Sequence, residues 1–454
     1  MDKYFGTDGF RGEAGIELTA EHAFKIGRFL GHYLKEEKDE MSQKRARVVI
    51  GKDPRLSSYM LEYATASGLA SSGVDVYLLH VTTTPSVSYI TVSEGFNLGI
   101  MITASHNPFT DNGIKIIDGK GCKLSDKLTD RIEAYLSSEE STLPFAKGAD
   151  IGRICDHYSG RNGYVGRLIS LANGSYKGLK IGLDAANGAA FSIARSVFAA
   201  LGAEIYSIGD EPNGLNVNYK CGSTHPEALA RLVRENKLDV GYAFDGDGDR
   251  CIAVNENGDI VDGDEILYIL AHRLKRLKSL KENKIVATVM SNGGLICSLK
   301  RNGIDTEITK VGDRFVYERM QETGIVLGGE QSGHIIMSDL GTTGDGILTA
   351  IILTEEIIDT EMRMSELSKG LIKYPQKSES VRVKNKDIAM RDSDIESLIN
   401  RFQSGREEGY RIIVRASGTE PKIRIMTEAP TQNECNEISK SIISILERKE
   451  YLDE

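Results

Sequence analysis

The sequence predicts an α/β protein: three related α/β domains with mixed, largely parallel sheets, followed by a smaller α+β C-terminal domain. Three observations predict it. Short β-branched runs alternate with longer amphipathic segments in three successive stretches. After Gly370 the pattern changes to the period-two alternation of an antiparallel sheet with one wet face. The 454 residues, at roughly 150 per domain, hold at least three cores.

The elements follow in order. Val48-Val49-Ile50 reads as a strand running into Asp53-Pro54, an N-cap and first-turn proline that start a helix through about Gly73. Val74 to Leu79 and Leu98 to Thr103 are the next strands. Leu179 to Leu183, Ile205 to Ile208 and Val240 to Phe244 repeat the grammar, with helices over 189–202 and 226–237. Ile285 to Val289, Thr306 to Ile308 and Val326-Leu327 form the third set, with helices over 293–302 and 313–324. Strand–helix alternation of this kind calls for right-handed parallel crossovers. Ser380 to Val383, Tyr410 to Val414 and Ile423 to Met426 alternate as antiparallel strands. A closing amphipathic helix then carries Cys435, Ile438, Ile442 and Ile445 on one face. Lys369 to Lys377 is the linker, and the expected domains are 1–152, 153–255, 256–369 and 376–454.

Bulk features exclude several classes. The net charge of −10 recruits neither nucleic acid nor an anionic membrane. The opening Met1-Asp2-Lys3-Tyr4-Phe5-Gly6 lacks a signal-peptide core, and apolar runs such as Ile347 to Leu353 fall far short of a spanning helix. Six scattered cysteines with no CxxC pair read as reduced thiols in the cytoplasm. The 47 glycines exceed the usual share of about 7%, while only 9 prolines accompany them, so the excess is not linker.

Four motifs carry chemistry. Asp245-Gly246-Asp247-Gly248-Asp249-Arg250 follows an apolar strand and spaces three carboxylates by two, which self-repulsion forbids without a hard cation. An EF-hand loop and a plain solvated acidic turn are the rival readings; the EF-hand's sixth position needs glycine and finds Arg250, and its flanks are strands. Mg²⁺ holding a phosphoryl oxygen, with Arg250 as anion donor, fits better. Thr103-Ala104-Ser105-His106-Asn107-Pro108 ends another strand, where α/β sheets bind ligands. It lacks the GxSxG elbow of an acyl hydrolase, and adjacent Ser105 and His106 side chains are expected to diverge, so Ser105 reads as a phosphate carrier. Lys115, in a segment read as loop, is an acid/base candidate or clamp. Gly328-Gly329-Glu330-Gln331-Ser332-Gly333-His334 offers donors and acceptors for sugar hydroxyls. Arg415-Ala416-Ser417-Gly418-Thr419-Glu420-Pro421 after Ile412 to Val414 makes a phosphate cradle, with a plain hairpin turn as its rival.

Taken together the set resembles the α-D-phosphohexomutase superfamily, whose members show TASHNP, DGDGDR, GExSGH and RxSGTxP in this order. The resemblance begins at Phe5-Gly6-Thr7-Asp8-Gly9-Phe10-Arg11-Gly12 and covers essentially the whole chain. The opening, Cys221-Gly222-Ser223-Thr224-His225-Pro226-Glu227, Val311-Gly312-Asp313-Arg314 and Gln331 are similar to the members that act on glucosamine phosphates. Phe10 stands where those commonly carry valine, and Ala416 where proline is frequent. The resemblance implies four domains around a central cleft and reversible conversion of D-glucosamine 6-phosphate to D-glucosamine 1-phosphate, a step toward UDP-N-acetylglucosamine. It implies one Mg²⁺ per site on Ser105, Asp245, Asp247 and Asp249, with Ser105 phosphorylated and a sugar 1,6-bisphosphate as activator. Lys115, His106, Arg11 and Arg250 would serve transfer. Glu330, Ser332 and His334 would meet the sugar, and Arg415, Ser417, Gly418 and Thr419 its distal phosphate. A homodimer acting on a small amino sugar phosphate, without nucleic acid or membrane partner, is the expected assembly. Mannose or glucose phosphates are the nearer alternative substrates, and a Mg²⁺-dependent phosphatase the more distant one.

Overall fold

The computed structural model describes residues 5–6, 9–37, 45–138, 143–403, 409–417 and 422–453. Their packing separates two compact units, residues 1–289 with 307–368, and residues 290–306 with 369–454.

The first unit opens with seven strands: β1 (Phe5–Gly6), β2 (Gly9–Glu13), β3 (Arg47–Lys52), β4 (Asp75–Val81), β5 (Leu98–Ile102), β6 (Asp111–Asp118) and β7 (Ile154–Asp156), ordered β1-β2-β6-β5-β3-β4-β7. β5, β3, β4 and β7 are parallel, whereas β6 and β2 add antiparallel to the other edge. Val48, Ile50, Ile100 and Ile102 are wholly buried, because crossover helices cover both faces of a parallel sheet. The segment holding Lys115, read as loop, is the strand β6 (Asp111–Asp118). Its polar start hid it, although Ile114, Ile116 and Ile117 are core residues.

The helix expected from Asp53-Pro54 starts at Leu56 and runs to Ala70. Asp53 does not cap it; its carboxylate accepts from the Arg55 amide and side chain and from Ser58 Oγ instead. This helix crosses the helix Ala20–Glu36 at glycines. A Cβ on Gly27 would lie 2.4 Å from Thr65 O, and one on Gly68 2.2 Å from Phe24 O.

A second sheet holds β8 (Lys180–Asp184), β9 (Glu204–Ile208), β10 (Val240–Phe244), β11 (Cys251–Asn255) and β12 (Ile260–Val261), ordered β12-β11-β10-β8-β9. β10 pairs parallel to β8 and antiparallel to β11, so the loop 245–250 turns a hairpin. The third sheet holds β13 (Lys284–Thr288), β14 (Asp305–Thr309), β15 (Leu327–Gly329) and β16 (Ile335–Met337), ordered β14-β13-β15-β16. The first sheet thus reaches past residue 152, and the second past 255, through short edge strands too brief to show periodicity.

The second unit contains β17 (Gln376–Arg382), β18 (Arg411–Ala416) and β19 (Lys422–Glu428), an antiparallel sheet ordered β17-β19-β18. The helix Gln432–Arg448 covers it with Cys435, Ile438, Ile442 and Leu446; Ile445, expected on that face, is only partly buried. Residues 290–306, expected in the third domain, belong to this unit. Asn292 Nδ2 donates to Tyr374 O at 2.8 Å, and the Gly293 amide donates to the Glu428 carboxylate at 3.1 Å. Among the described residues no helix is long and apolar enough to cross a membrane. All six cysteines are free thiols.

Candidate active site

The hairpin loop between β10 and β11 folds its three aspartates inward. Asp245 and Asp247 are wholly buried and Asp249 nearly so, and one oxygen from each lies within 4.8 Å of the others. Asp247 Oδ1 and Asp249 Oδ1 are buried with no hydrogen-bond partner among the described residues. Burial and the charges of Asp249 and Asp247 hold the Asp245 carboxyl well above the usual carboxylate range. Asp249, despite burial, is held well below it by Lys115 and His334. Buried carboxylates with bare oxygens fit a hard divalent cation, which would supply the missing partners.

Ser105 arrives from the end of β5. Its Oγ donates to Asp245 Oδ2 at 2.6 Å, and its φ of 51° lies in the left-handed region. That turn brings two side chains together that were expected to diverge: His106 Nδ1 is 3.3 Å from Ser105 Oγ. Burial, with the nearby charges of Arg250 and Arg11, pushes the His106 pKa down to about 4.

β6 delivers Lys115, whose Nζ lies 2.8 Å from Asp247 Oδ2 and 3.4 Å from Asp249 Oδ2. Arg11 stands opposite Gly113 in the β2–β6 register, two residues from Lys115 along the neighbouring strand. The Arg250 amide donates to Asp245 Oδ1 at 3.2 Å, its side chain is partly buried, and its Nε has no hydrogen-bond partner among the described residues. The structure therefore brings Ser105, His106, Lys115, Arg250 and the three aspartates together.

The third motif divides. Glu330 Oε1 accepts from the Gly312 amide at 2.9 Å, and Ser332 is exposed at the tip of its loop. His334 is buried, with Nδ1 3.6 Å from Asp249 and Nε2 3.5 Å from Asp313, while the Gly344 amide donates to Nε2. Arg314, in the Val311-Gly312-Asp313-Arg314 segment, pairs with Asp126 and Glu318. In the second unit, Arg415 lies near the end of β18, and Ser417 follows that strand. The Ser417 amide donates to Lys422 O, and Lys386 Nζ donates to Ser417 O at 2.9 Å. Gly418 and Thr419 lie outside the described residues.

Three residues escaped sequence reasoning. Thr84 Oγ1 donates to Asp247 Oδ2 at 2.5 Å. Arg55 and Asn218 both donate to the Ser105 carbonyl. Only a buried arginine two residues after a buried aspartate could have hinted at Arg55.

Comparison with known proteins places this geometry. The models for phosphoglucomutase/phosphomannomutase domains I, II, III and IV match residues 2–143, 162–258, 262–374 and 380–445. A phosphoglucosamine mutase of Lachnospira eligens is 50% identical over 451 residues, covering 99% of this chain and all of that one. One from Streptococcus pneumoniae serotype 4 is 48% identical, with both chains covered in full. Among solved structures, a phosphoglucomutase/phosphomannomutase family protein of Burkholderia thailandensis superposes with a TM-score of 0.79 at 26% identity, covering 97% of each chain. The chain belongs to the phosphoglucomutase/phosphomannomutase family of α-D-phosphohexomutases.

Proposed function

We propose that this chain is a phosphoglucosamine mutase that interconverts D-glucosamine 6-phosphate and D-glucosamine 1-phosphate through a phosphorylated Ser105. One observation carries the reading: a buried serine hydroxyl hydrogen-bonded to the first of three buried aspartates, with a lysine on the other two. The identity to phosphoglucosamine mutases narrows the substrate class.

Asp245, Asp247 and Asp249, with the phosphate on Ser105, would hold Mg²⁺, which when bound neutralises charge on the transferring group. Ser105 Oγ gives its phosphoryl group to the free sugar hydroxyl, leaving a serine hydroxyl and a sugar 1,6-bisphosphate. The bisphosphate then returns its other phosphoryl group to the same oxygen. Lys115 would serve proton transfer at the sugar hydroxyl once its ion pairs with Asp247 and Asp249 are released, and His106 Nδ1 lies 3.3 Å from Ser105 Oγ. Arg250 supplies positive charge to the phosphoryl oxygens. Glu330, with Ser332 and His334, would face the sugar, and Arg415, Ser417, Gly418 and Thr419 its distal phosphate. A sugar 1,6-bisphosphate would charge Ser105.

Phosphorus NMR with glucosamine, glucose and mannose 6-phosphates offered in turn tests the reaction. Glucosamine 1-phosphate forming fastest supports it, another 1-phosphate forming faster moves the substrate, and free phosphate alone indicates a phosphatase. Ser105→Ala should lower kcat by on the order of 10⁴-fold or more while the fold persists, and retained activity would sink the mechanism.

The enzyme would work in the cytoplasm as a homodimer. Leu56, Tyr59, Met60 and Tyr63 form an exposed apolar stripe on one helix, the kind of surface that self-association covers. Light scattering should give twice the chain mass, and Tyr63→Glu should reduce it.

A further inference from the structure

We propose that Arg55 and Asn218 are positioning residues that fix the backbone of Ser105 and thereby aim its Oγ at Asp245; this rests on reading Ser105 as the phosphoryl carrier.

A non-glycine residue in the left-handed region stays there only when its surroundings over-determine it. Around Ser105 they do. Arg55 is wholly buried, and all five of its N–H donors are committed. Nη2 donates to Ser105 O at 2.9 Å and to Asn107 O at 2.8 Å. Nη1 donates to Asp111 O at 3.2 Å and to Pro108 O, and Nε to Asp53 Oδ2 at 2.8 Å. Asp53 is itself fixed by Thr103 Oγ1 and Ser58 Oγ. One guanidinium thus holds three carbonyls of the loop that follows β5 and the Asp111 carbonyl that opens β6.

Asn218 approaches the same carbonyl from the second sheet's loops. Its Nδ2 donates to Ser105 O at 2.8 Å and to Asn107 O at 3.0 Å, and its own φ of 59° is left-handed. The metal-binding loop closes the third side: a Cβ on Gly246 would lie 2.4 Å from Ser105 O. The carbonyl of Ser105 is therefore clamped by β3's loop, by Asn218 and by the loop carrying Asp245. The side-chain hydrogen bonds of Arg55 and Asn218 among the described residues go to backbone carbonyls and Asp53. Their action is on where Oγ sits, so removing them should slow transfer to and from Ser105 without weakening sugar binding.

The test uses the full chain with Mg²⁺. Dephosphorylated enzyme is mixed with glucosamine 1,6-bisphosphate, phosphorylation is followed by intact mass, and kcat and KM are measured alongside thermal unfolding. In Asn218→Ala, and in the isosteric Asn218→Asp, the phosphorylation rate and kcat should fall at least about tenfold. KM should stay within about twofold. Arg55→Lys, which keeps the charge but not the fork, should retain more activity than Arg55→Ala. Wild-type phosphorylation rates in Asn218→Ala, or a KM that rises as far as kcat falls, would overturn the proposal. So would failure of both Asn218 variants to fold, since the residue would then be scaffold alone. Wild-type protein that takes no phosphate on Ser105 would overturn the carrier reading instead, and the same mass measurement shows it before any variant is made.

Discussion

At the scale of single residues, the site shows how strain and desolvation are balanced. A left-handed serine costs about 1–3 kcal/mol, and three buried carboxylates cost more unless each is compensated. Thr84 is one compensator, since its hydroxyl donates to Asp247 at 2.5 Å and orients that carboxylate for a cation. Groups behind metal ligands typically change affinity by about 10–100-fold. Thr84→Val should therefore raise the Mg²⁺ concentration for half-maximal activity at least about tenfold, with kcat at saturating Mg²⁺ changed much less. An unchanged Mg²⁺ titration would show that Asp247 needs no such help. Ser105 and the triad were legible because each motif is contiguous, so spacing alone exposes the chemistry. Arg55 and Thr84 were not, because they stand 50 and 163 positions from their partners and only the fold joins them.

At the scale of elements, strand and helix alternation was legible wherever apolar runs are long, as in Val240 to Phe244, which is β10 residue for residue. It failed at β6, whose Asp-Asn-Gly start mimics a turn, and at two-residue edges such as β12. Part of the glycine excess has a packing reason: Gly27 and Gly68 lie where two helices cross and backbone must meet backbone. Gly68→Val would force the crossing apart and should destabilise the unit by about 1–3 kcal/mol, the usual cost of overpacking. Gly163 supplies the opposite case. It lies inside the helix Tyr158–Leu171 with open space where a Cβ would go. Gly163→Ala should stabilise by about 0.5–1 kcal/mol through helix propensity alone. Urea unfolding followed by circular dichroism compares the two, and shifts of the same sign would refute the distinction.

At the scale of the whole molecule, a chain of net charge −10 is proposed to bind a phosphate ester. Within the site, Arg11, Lys115 and Arg250 offset the charges of Asp245, Asp247 and Asp249, so a bound divalent cation would leave a local positive surplus suited to a phosphoryl dianion. That attraction acts at contact distance in a buried setting, where salt screens weakly. The net negative charge of the whole chain acts at long range and has the opposite sign. At about 0.01 M salt the Debye length is about 30 Å, so an approaching sugar phosphate feels that net charge; at about 0.15 M it is about 8 Å, and the repulsion is screened. Glucosamine's ammonium offsets part of the phosphate charge and keeps the effect small. Raising KCl from low to physiological ionic strength at saturating Mg²⁺ should therefore leave kcat unchanged and raise kcat/KM, by about twofold. The corresponding glucose phosphate lacks the ammonium and should gain more over the same range. A steep fall of kcat/KM with salt would mean that the site's cations steer substrate from a distance, and that the net negative charge does not set the approach.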